Sequence, residues 1–196
     1  VLQIRIHGRG GQGVVTAAEL LSVAAFDQGH HAQAFPSFGS ERTGAPVVAF
    51  CRIDEHEIRL REPVLEPDVL IVQDPTLLHQ VDVFQGLKPA GYVLINSKHS
   101  LDDLGLADIA LRFRRERLTT VPATEIAIKH LGRPLPNAVL LGGFAALSGL
   151  VSLDAVAHAI RDKFGGKVAA GNVAAATEAF EFVQRAMKEL AHAQAN

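Results

Sequence analysis

An α/β fold is the class this sequence predicts, on three observations. Leu2, Ile4 and Ile6 alternate as in a strand and run into the turn Gly8-Arg9-Gly10-Gly11-Gln12-Gly13, which opens an alanine-rich helical stretch from Val14 to Phe26. Asp68-Val69-Leu70-Ile71-Val72-Gln73-Asp74 and Tyr92-Val93-Leu94-Ile95-Asn96 are short apolar runs with polar ends, as expected of strands covered on both faces of a parallel sheet. From Thr119 onward helical segments replace strands. The expected architecture is a three-layer, Rossmann-like domain with a mostly parallel, mixed sheet and a helical C-terminal part. We read 1–196 as a single domain, with an α/β core over 1–118 and the helical part over 119–196.

The first strand, turn and helix together follow the pattern by which α/β proteins aim backbone N–H groups and a helix start at an anion. Gly8, Gly10 and Gly13 satisfy G-x-G-x-x-G, but a dinucleotide site also wants an acidic residue about 20 positions on, at the end of the second strand. That place falls in His30-His31-Ala32-Gln33-Ala34, which has no carboxylate. A turn that contacts phosphate or forms an interface is therefore preferred to a free-standing NAD site. The plainer alternative is that the glycines only let the first helix pack on the sheet, although one glycine would serve for that.

The second strand leads into Phe35-Pro36-Ser37-Phe38-Gly39-Ser40-Glu41-Arg42-Thr43-Gly44-Ala45-Pro46. Loops beyond strand carboxyl ends line the crevice of an open α/β sheet, so this loop can face the glycine turn. Arg42 can grip a phosphate or carboxylate with two N–H groups, and Ser37 and Ser40 offer hydroxyl donors. Next, Val47 to Ile53 and Glu57 to Leu60 read as a hairpin across Asp54-Glu55-His56. Leu77, Leu78, Val81 and Phe84 fall at helical spacing and predict a crossover helix over 76–87. Arg112, Arg114, Arg115 and Arg117 alternate with Leu111 and Phe113, which reads mainly as the wet face of an edge strand, the lesser alternative being a charged patch against an acidic partner or a nucleotide phosphate.

In the C-terminal part, Pro122 starts a helix that Gly132 stops. Gly142, Gly143, Ala145, Ala146 and Gly149 give the helix from Asn137 to Leu150 a small-residue surface, expected to be covered by another chain together with Phe35 and Phe38. Ser152 caps a helix ending before Gly165-Gly166, and the last helix runs from about Asn172 to Leu190.

Composition narrows the function classes. The chain has 196 residues, 48% of them apolar, enough for a sizeable core. A formal net charge of −2 argues against nucleic acid as a partner. Cys51 is the single cysteine and falls in a strand-like run, which excludes a disulfide framework or a cysteine-ligated cluster held by this chain. The histidines show no ligand spacing, so no metal site is expected. No apolar run approaches the roughly 18 residues of a membrane span, and no signal segment is evident. The expected location is cytoplasmic, with no membrane partner.

The glycine turn with Val14-Val15-Thr16-Ala17-Ala18, the Phe35 to Arg42 loop with Gly44-Ala45-Pro46-Val47, and Glu66-Pro67-Asp68 leading to Asp74-Pro75 together resemble the gamma subunit of the 2-oxoacid:acceptor oxidoreductases, the pyruvate:ferredoxin oxidoreductase family. The resemblance spans essentially the whole chain, and Asn137-Ala138-Val139-Leu140-Leu141-Gly142-Gly143 fits the family's Asn-led helix loosely. Two departures stand out: Thr43 where the family often has a second Arg, and Leu140-Leu141-Gly142-Gly143 where it often has Met-Leu-Gly-Ala. The resemblance implies a complex that oxidatively decarboxylates a 2-oxoacid, pyruvate or an aromatic one such as phenylglyoxylate, to an acyl-CoA. Thiamine diphosphate and [4Fe-4S] clusters would belong to alpha, beta and delta-type partner subunits, with ferredoxin as acceptor. The resemblance also allows a branch with a flavin subunit that reduces NAD.

This chain would then contribute to coenzyme A binding and assembly and have no activity alone. The residues implied in cofactor binding are Gly8, Arg9, Gly10, Gly11, Gln12, Gly13, Ser37, Gly39, Ser40 and Arg42; none is implied as catalytic. The rival readings are a small nucleotide-binding module and a purely structural subunit without a ligand site.

Overall fold

The computed structural model describes residues 1–37 and 42–196. Its strands are β1 (Leu2–Arg9), β2 (His31–Pro36), β3 (Pro46–Asp54), β4 (Val69–Val72), β5 (Tyr92–Asn96) and β6 (Leu118–Val121), in a single sheet of order β2-β3-β1-β4-β5-β6. β3 runs antiparallel to both β1 and β2, whereas the pairs β1–β4, β4–β5 and β5–β6 are parallel. The sheet is mixed, as expected, but not through the expected hairpin. Both sides of β3 are already paired, so residues 57–60 have no edge to join and form an exposed, irregular connection.

The helices are α1 (Val14–Asp27), α2 (Ala107–Ala110), α3 (Ala123–Leu131), α4 (Asn137–Ser148), α5 (Leu153–Lys163) and α6 (Gly166–Ala195). Alternation along the strands divides the apolar side chains between two cores. Ile4, Ile6, Ala49, Cys51, Ile71 and Leu94 face the layer built by α1, α4, α5 and α6. Leu70, Val72, Val93 and Ile95 face the other side, under Leu77, Val83, Leu101 and Leu106.

That second side is thinner than predicted. In place of a helix over 76–87 there is a short 3-10 turn, Pro75–His79, whose start is capped by the Asp74 side chain accepting from Thr76 N. The chain does not continue as a helix because the Val83 and Gln85 carbonyls accept from the buried Arg5 guanidinium at 2.9 and 2.6 Å, and Gly86 turns at φ 76°. The arginine-rich run is likewise no strand. Leu111 is exposed, Arg115–Arg117 is a 3-10 turn, and the edge strand β6 begins only at Leu118. Arg115 and Arg117 donate to the Leu118 and Ala90 carbonyls, and Arg117 lies over the Tyr92 ring.

The C-terminal helices follow their signals more closely. Gly132 and Gly149 close α3 and α4 in left-handed conformations, and the Ser152 hydroxyl accepts from Ala155 N at the start of α5. The last helix is longer than expected, beginning at Gly166 and continuing to Ala195.

The small residues of α4 face inward. A Cβ on Gly142 would meet the Ala176 carbonyl oxygen of α6 at 2.0 Å, and one on Gly143 would touch Leu94, Val121 and Val183. Residues 137–145 are buried throughout. The expectation that partner chains cover this helix is corrected for Gly142, Gly143 and Ala145, which are buried within the same chain, whereas Ala146 is half-buried and Gly149 is exposed. Phe35 is also partly taken up internally, beside Phe50 at 5.2 Å between centroids and below Arg52. Phe38 and Glu41 lie outside the described residues.

Candidate functional site

β1 leaves the sheet toward β2 and β3 on one side, while β4 to β6 lie on its other side. This reversal is the place where open α/β sheets bind ligands, just beyond the strands' carboxyl ends. The glycine turn emerges there and has a cleft on each side. The larger, about 480 Å³, is lined by Gly10, Gly11 and Gln12 of the turn and by Gln73, Asp74, Asn96, Thr124 and Arg133. The smaller, about 270 Å³, lies against Gly13 and the first residues of α1 through Thr16.

Each glycine of the turn has a separate reason to lack a side chain. A Cβ on Gly8 would strike Val14 of α1 at 2.4 Å, and one on Gly10 would strike the Arg42 carbonyl oxygen at 2.1 Å. Gly11 and Gly13 have φ of 89° and 69°, which disfavours any L side chain. Gly13 is the N-cap of α1 and leaves the helix start without a side-chain cap or an acidic residue in its first turn. Unpaired N–H groups at such a start favour negative charge.

The polar residues of the turn hold it in shape. The Gln12 side chain accepts from Arg9 N at 2.8 Å and donates to Asp74 Oδ2 at 2.8 Å, while Gln73 Nε2 donates to the Gln12 carbonyl at 2.6 Å. The Arg9 guanidinium donates to Thr76 Oγ1, Gln80 Oε1 and the Gly44 carbonyl and pairs with Asp74 at 3.2 Å. Burial alone would raise the Asp74 carboxyl, but hydrogen bonds from Thr76 and Gln12 and the charge of Arg9 keep it below the usual carboxylate range. Asp74 is thus a carboxylate that anchors the turn. Under it, burial and the adjacent Arg5 push the His7 imidazole down to about 4, so His7 is neutral and its Nε2 accepts from Arg5 Nε at 3.0 Å.

The second loop meets the turn through its later part. Gly10 N donates to the Ala45 carbonyl at 2.9 Å, and Gly44 N donates to the Gly10 carbonyl at 3.1 Å. Arg42 is exposed beside this contact. Ser37 N donates to the Val48 carbonyl, which extends the β2–β3 pairing and puts Ser37 two strands from β1. Ser37 lines neither cleft. Gly39 and Ser40 lie outside the described residues.

Four cleft residues were not legible as site residues in the sequence: Gln73, Asn96, Thr124 and Arg133. Asn96 ends β5, donates to the Gln73 carbonyl and Thr124 Oγ1, and accepts from Thr124 N near the start of α3. Gln73 and Asn96 had only their place at the polar end of an apolar run as a signal, and Thr124 and Arg133 had none. Asn137 also reaches the turn, donating from Nδ2 to the Gly13 carbonyl at 3.3 Å. Cys51, by contrast, is fully buried in β3, and burial pushes its thiol up to about 12. Among the described residues, no group of three or more His, Cys, Asp or Glu could hold a metal ion, and no helix is long and apolar enough to cross a membrane.

Residues 3–182 match the family model described as pyruvate ferredoxin/flavodoxin oxidoreductase. The chain is 48% identical over 184 residues to the pyruvate/ketoisovalerate oxidoreductases common subunit gamma of Pyrococcus abyssi, covering 94% of this chain and 98% of that protein. It is 46% identical to the pyruvate synthase subunit PorC of Methanothermobacter thermautotrophicus, over 94% of this chain and 97% of that one. The crystal structure of the pyruvate oxidoreductase subunit PORC of Thermotoga maritima superposes with a TM-score of 0.75 at 33% identity, covering 92% of this chain and 95% of that one. The chain belongs to the pyruvate ferredoxin/flavodoxin oxidoreductase family, on the branch of its gamma subunits.

Proposed function

We propose that this chain is the coenzyme A-contacting and assembly subunit of a complex that converts a 2-oxoacid to an acyl-CoA. The observation that carries the reading is the glycine turn at the carboxyl edge of the sheet, with an uncapped helix start on one side and a polar cleft on the other. Coenzyme A has phosphates suited to the first and amide, amino and hydroxyl groups suited to the second. Arg42 and Arg133 stand exposed near the turn and at the larger cleft, where guanidinium groups can meet phosphate. Arg9 and Gln12 act as positioning residues, since their polar atoms are committed within the chain.

The decarboxylation and electron-transfer chemistry falls to alpha, beta and delta-type partners carrying thiamine diphosphate and [4Fe-4S] clusters. Thiamine diphosphate would supply the carbanion-stabilising group there. The names of the relatives favour pyruvate as substrate, with a branched 2-oxoacid second, and the description of the family model favours ferredoxin as acceptor. The test is reconstitution of the complex with and without this chain, measuring 2-oxoacid- and coenzyme A-dependent dye reduction. The chain alone should contain no stoichiometric iron and show no turnover. An unchanged Michaelis constant for coenzyme A in a complex lacking the chain would overturn the reading.

A further inference from the structure

The arginine-rich run after α2 lines neither cleft beside the glycine turn. Over 107–117 four arginines stand against two acidic residues, although the whole chain has a formal net charge of −2. Elsewhere on the surface Arg59, Lys88, Lys129 and Lys163 pair with Glu57, Asp68, Glu178 and Glu19. Among the described residues none of the four arginines pairs with a carboxylate, not even with the exposed Asp108 and Glu116 of the same stretch.

The run has a fixed base and a free crest. Arg115 and Arg117 are committed to the Leu118 and Ala90 carbonyls at 2.8 and 2.6 Å. Phe113 stacks on Phe84 with centroids 6.4 Å apart, and Arg112 N donates to the Ile109 carbonyl at 2.9 Å. On this held backbone Arg112 and Arg114 are exposed, and Leu111 beside them is 86% exposed. A lone exposed leucine is ordinary. A leucine together with unpaired arginines and a half-buried phenylalanine matches the centre of a protein interface, where arginine and aromatic side chains are enriched.

The kind of occupant follows from what the crest offers. A nucleotide phosphate would use the guanidinium groups and leave Leu111 in water, whereas an acidic protein surface with an apolar spot uses both. Cys51 is the one cysteine and lies buried in β3, so no cysteine-held cluster of this chain lies beneath the run to draw a separate electron carrier there. We infer that Leu111, Arg112 and Arg114 form a docking surface for an acidic face of a partner subunit of the complex. This rests on the assembly part of the reading above and deepens it, by naming the face of this chain and the charge of the surface that covers it.

The test compares the full chain with the assembled complex. Phenylglyoxal, which modifies accessible guanidinium groups, should label Arg112 and Arg114 in the chain alone, and assembly should protect both, as read peptide by peptide by mass spectrometry. In Arg112→Glu/Arg114→Glu like charges would face each other across the interface, so the dissociation constant from the partner subunits should rise about tenfold or more. The urea midpoint of the same variant chain should stay at the wild-type value, since both residues are exposed. Added salt should weaken assembly of the wild type more than that of Arg112→Gln/Arg114→Gln. Equal labelling in chain and complex, or wild-type affinity in the charge-reversed variant, overturns the inference. An intact variant complex in which only the Michaelis constant for the electron acceptor rises also overturns it, by giving the face to a separate carrier. Protection at other arginines with Arg112 and Arg114 still labelled defeats this docking face alone, whereas a wild-type chain that never associates with partner subunits defeats the assembly reading itself.

Discussion

Gly10 and Gly142 would each put an added Cβ about 2 Å from a backbone carbonyl oxygen, at 2.1 Å from Arg42 and 2.0 Å from Ala176, yet they serve opposite ends. At Gly10 the close neighbour is the second loop, and the turn it belongs to stays open to clefts on both sides. At Gly142 the close neighbour is α6, and the helix that carries it is buried over residues 137–145. The open segment is held by polar contacts, from Gln12, Gln73, Asp74 and Arg9 down to Arg5 and His7. The closed one is held by apolar packing. Glycine abundance therefore says only that something comes near; what comes near, and whether polar groups stand around it, separates a site from a core.

The largest expected effect follows from the closed side. In Gly142→Val the side chain must displace the α6 backbone, because no flexible side chain stands in its way to yield. Overpacking of this kind costs typically 1–3 kcal/mol, and with a rigid backbone as the obstacle we expect about 3 kcal/mol or more. Urea unfolding of the purified chain measures it. A loss below about 1 kcal/mol would mean that α4 and α6 are not in intimate contact, and would restore the idea of a surface kept for another chain.

The next effect separates the two regions by pH. His7 has a folded value of about 4 against an ordinary value near 6.5, because burial and Arg5 disfavour its charged form. Between these values the unfolded chain binds a proton that the folded chain does not. Stability from His7 is thus fully present above about pH 6.5 and is lost as pH falls toward about 4, by a total on the order of 3 kcal/mol. The difference between wild type and His7→Gln, measured by urea unfolding at pH 7 and pH 4.5, isolates this contribution from the acidic groups. Parallel pH dependence in the two proteins would show that the polar support under the turn does not include a neutral His7.

How far the sequence disclosed these regions depends on whether the deciding contact was local. The β1-turn-α1 unit was legible because strand alternation, glycine spacing and helix composition lie within a single stretch, and the apolar runs of β4 and β5 needed no partner to be recognised. The hairpin after β3 failed because it ignored β1, which takes the second edge of that strand. The helix after Pro75 failed because its carbonyls are claimed by Arg5, about 80 residues earlier in sequence. Gln73, Asn96, Thr124 and Arg133 gather at the cleft only when three parallel strands bring their ends together. The small residues of α4 were visible, but which chain fills them was not.

A third test acts on the open side. Arg42 is exposed beside the contact between the turn and the second loop, so its loss should spare folding. If it meets a phosphate of coenzyme A, removing that charge-assisted bond costs about 1.5–3 kcal/mol. Arg42→Ala should then raise the apparent Michaelis constant for coenzyme A in the complex by roughly tenfold or more. An intact complex with unchanged coenzyme A dependence would remove Arg42 from the site and leave Arg133 as the arginine to examine.

The smallest expected effect is the sharpest check on the comparison, because it changes one glycine next to the one that cannot change. An added Cβ on Gly143 would lie 3.4 Å from Leu94 Cδ2 and from Val183 Cγ2, and 3.6 Å from Val121 Cγ1, at ordinary contact distance from side chains rather than backbone. Alanine also exceeds glycine in helix propensity by about 0.8–1 kcal/mol. These terms favour the substitution, while any residual crowding in a dense core opposes it. Gly143→Ala should therefore lie within about 1 kcal/mol of wild type by urea unfolding, on the stabilising side, and should leave assembly and coenzyme A dependence unchanged. If Gly143→Ala unfolds the chain as severely as Gly142→Val, the helix tolerates no side chain anywhere on this face and the distinction between a backbone neighbour and a side-chain neighbour fails. If it leaves the chain stable but blocks recovery of the complex, α4 contributes to an interface after all, and the separation of an open region from a closed one has to be redrawn.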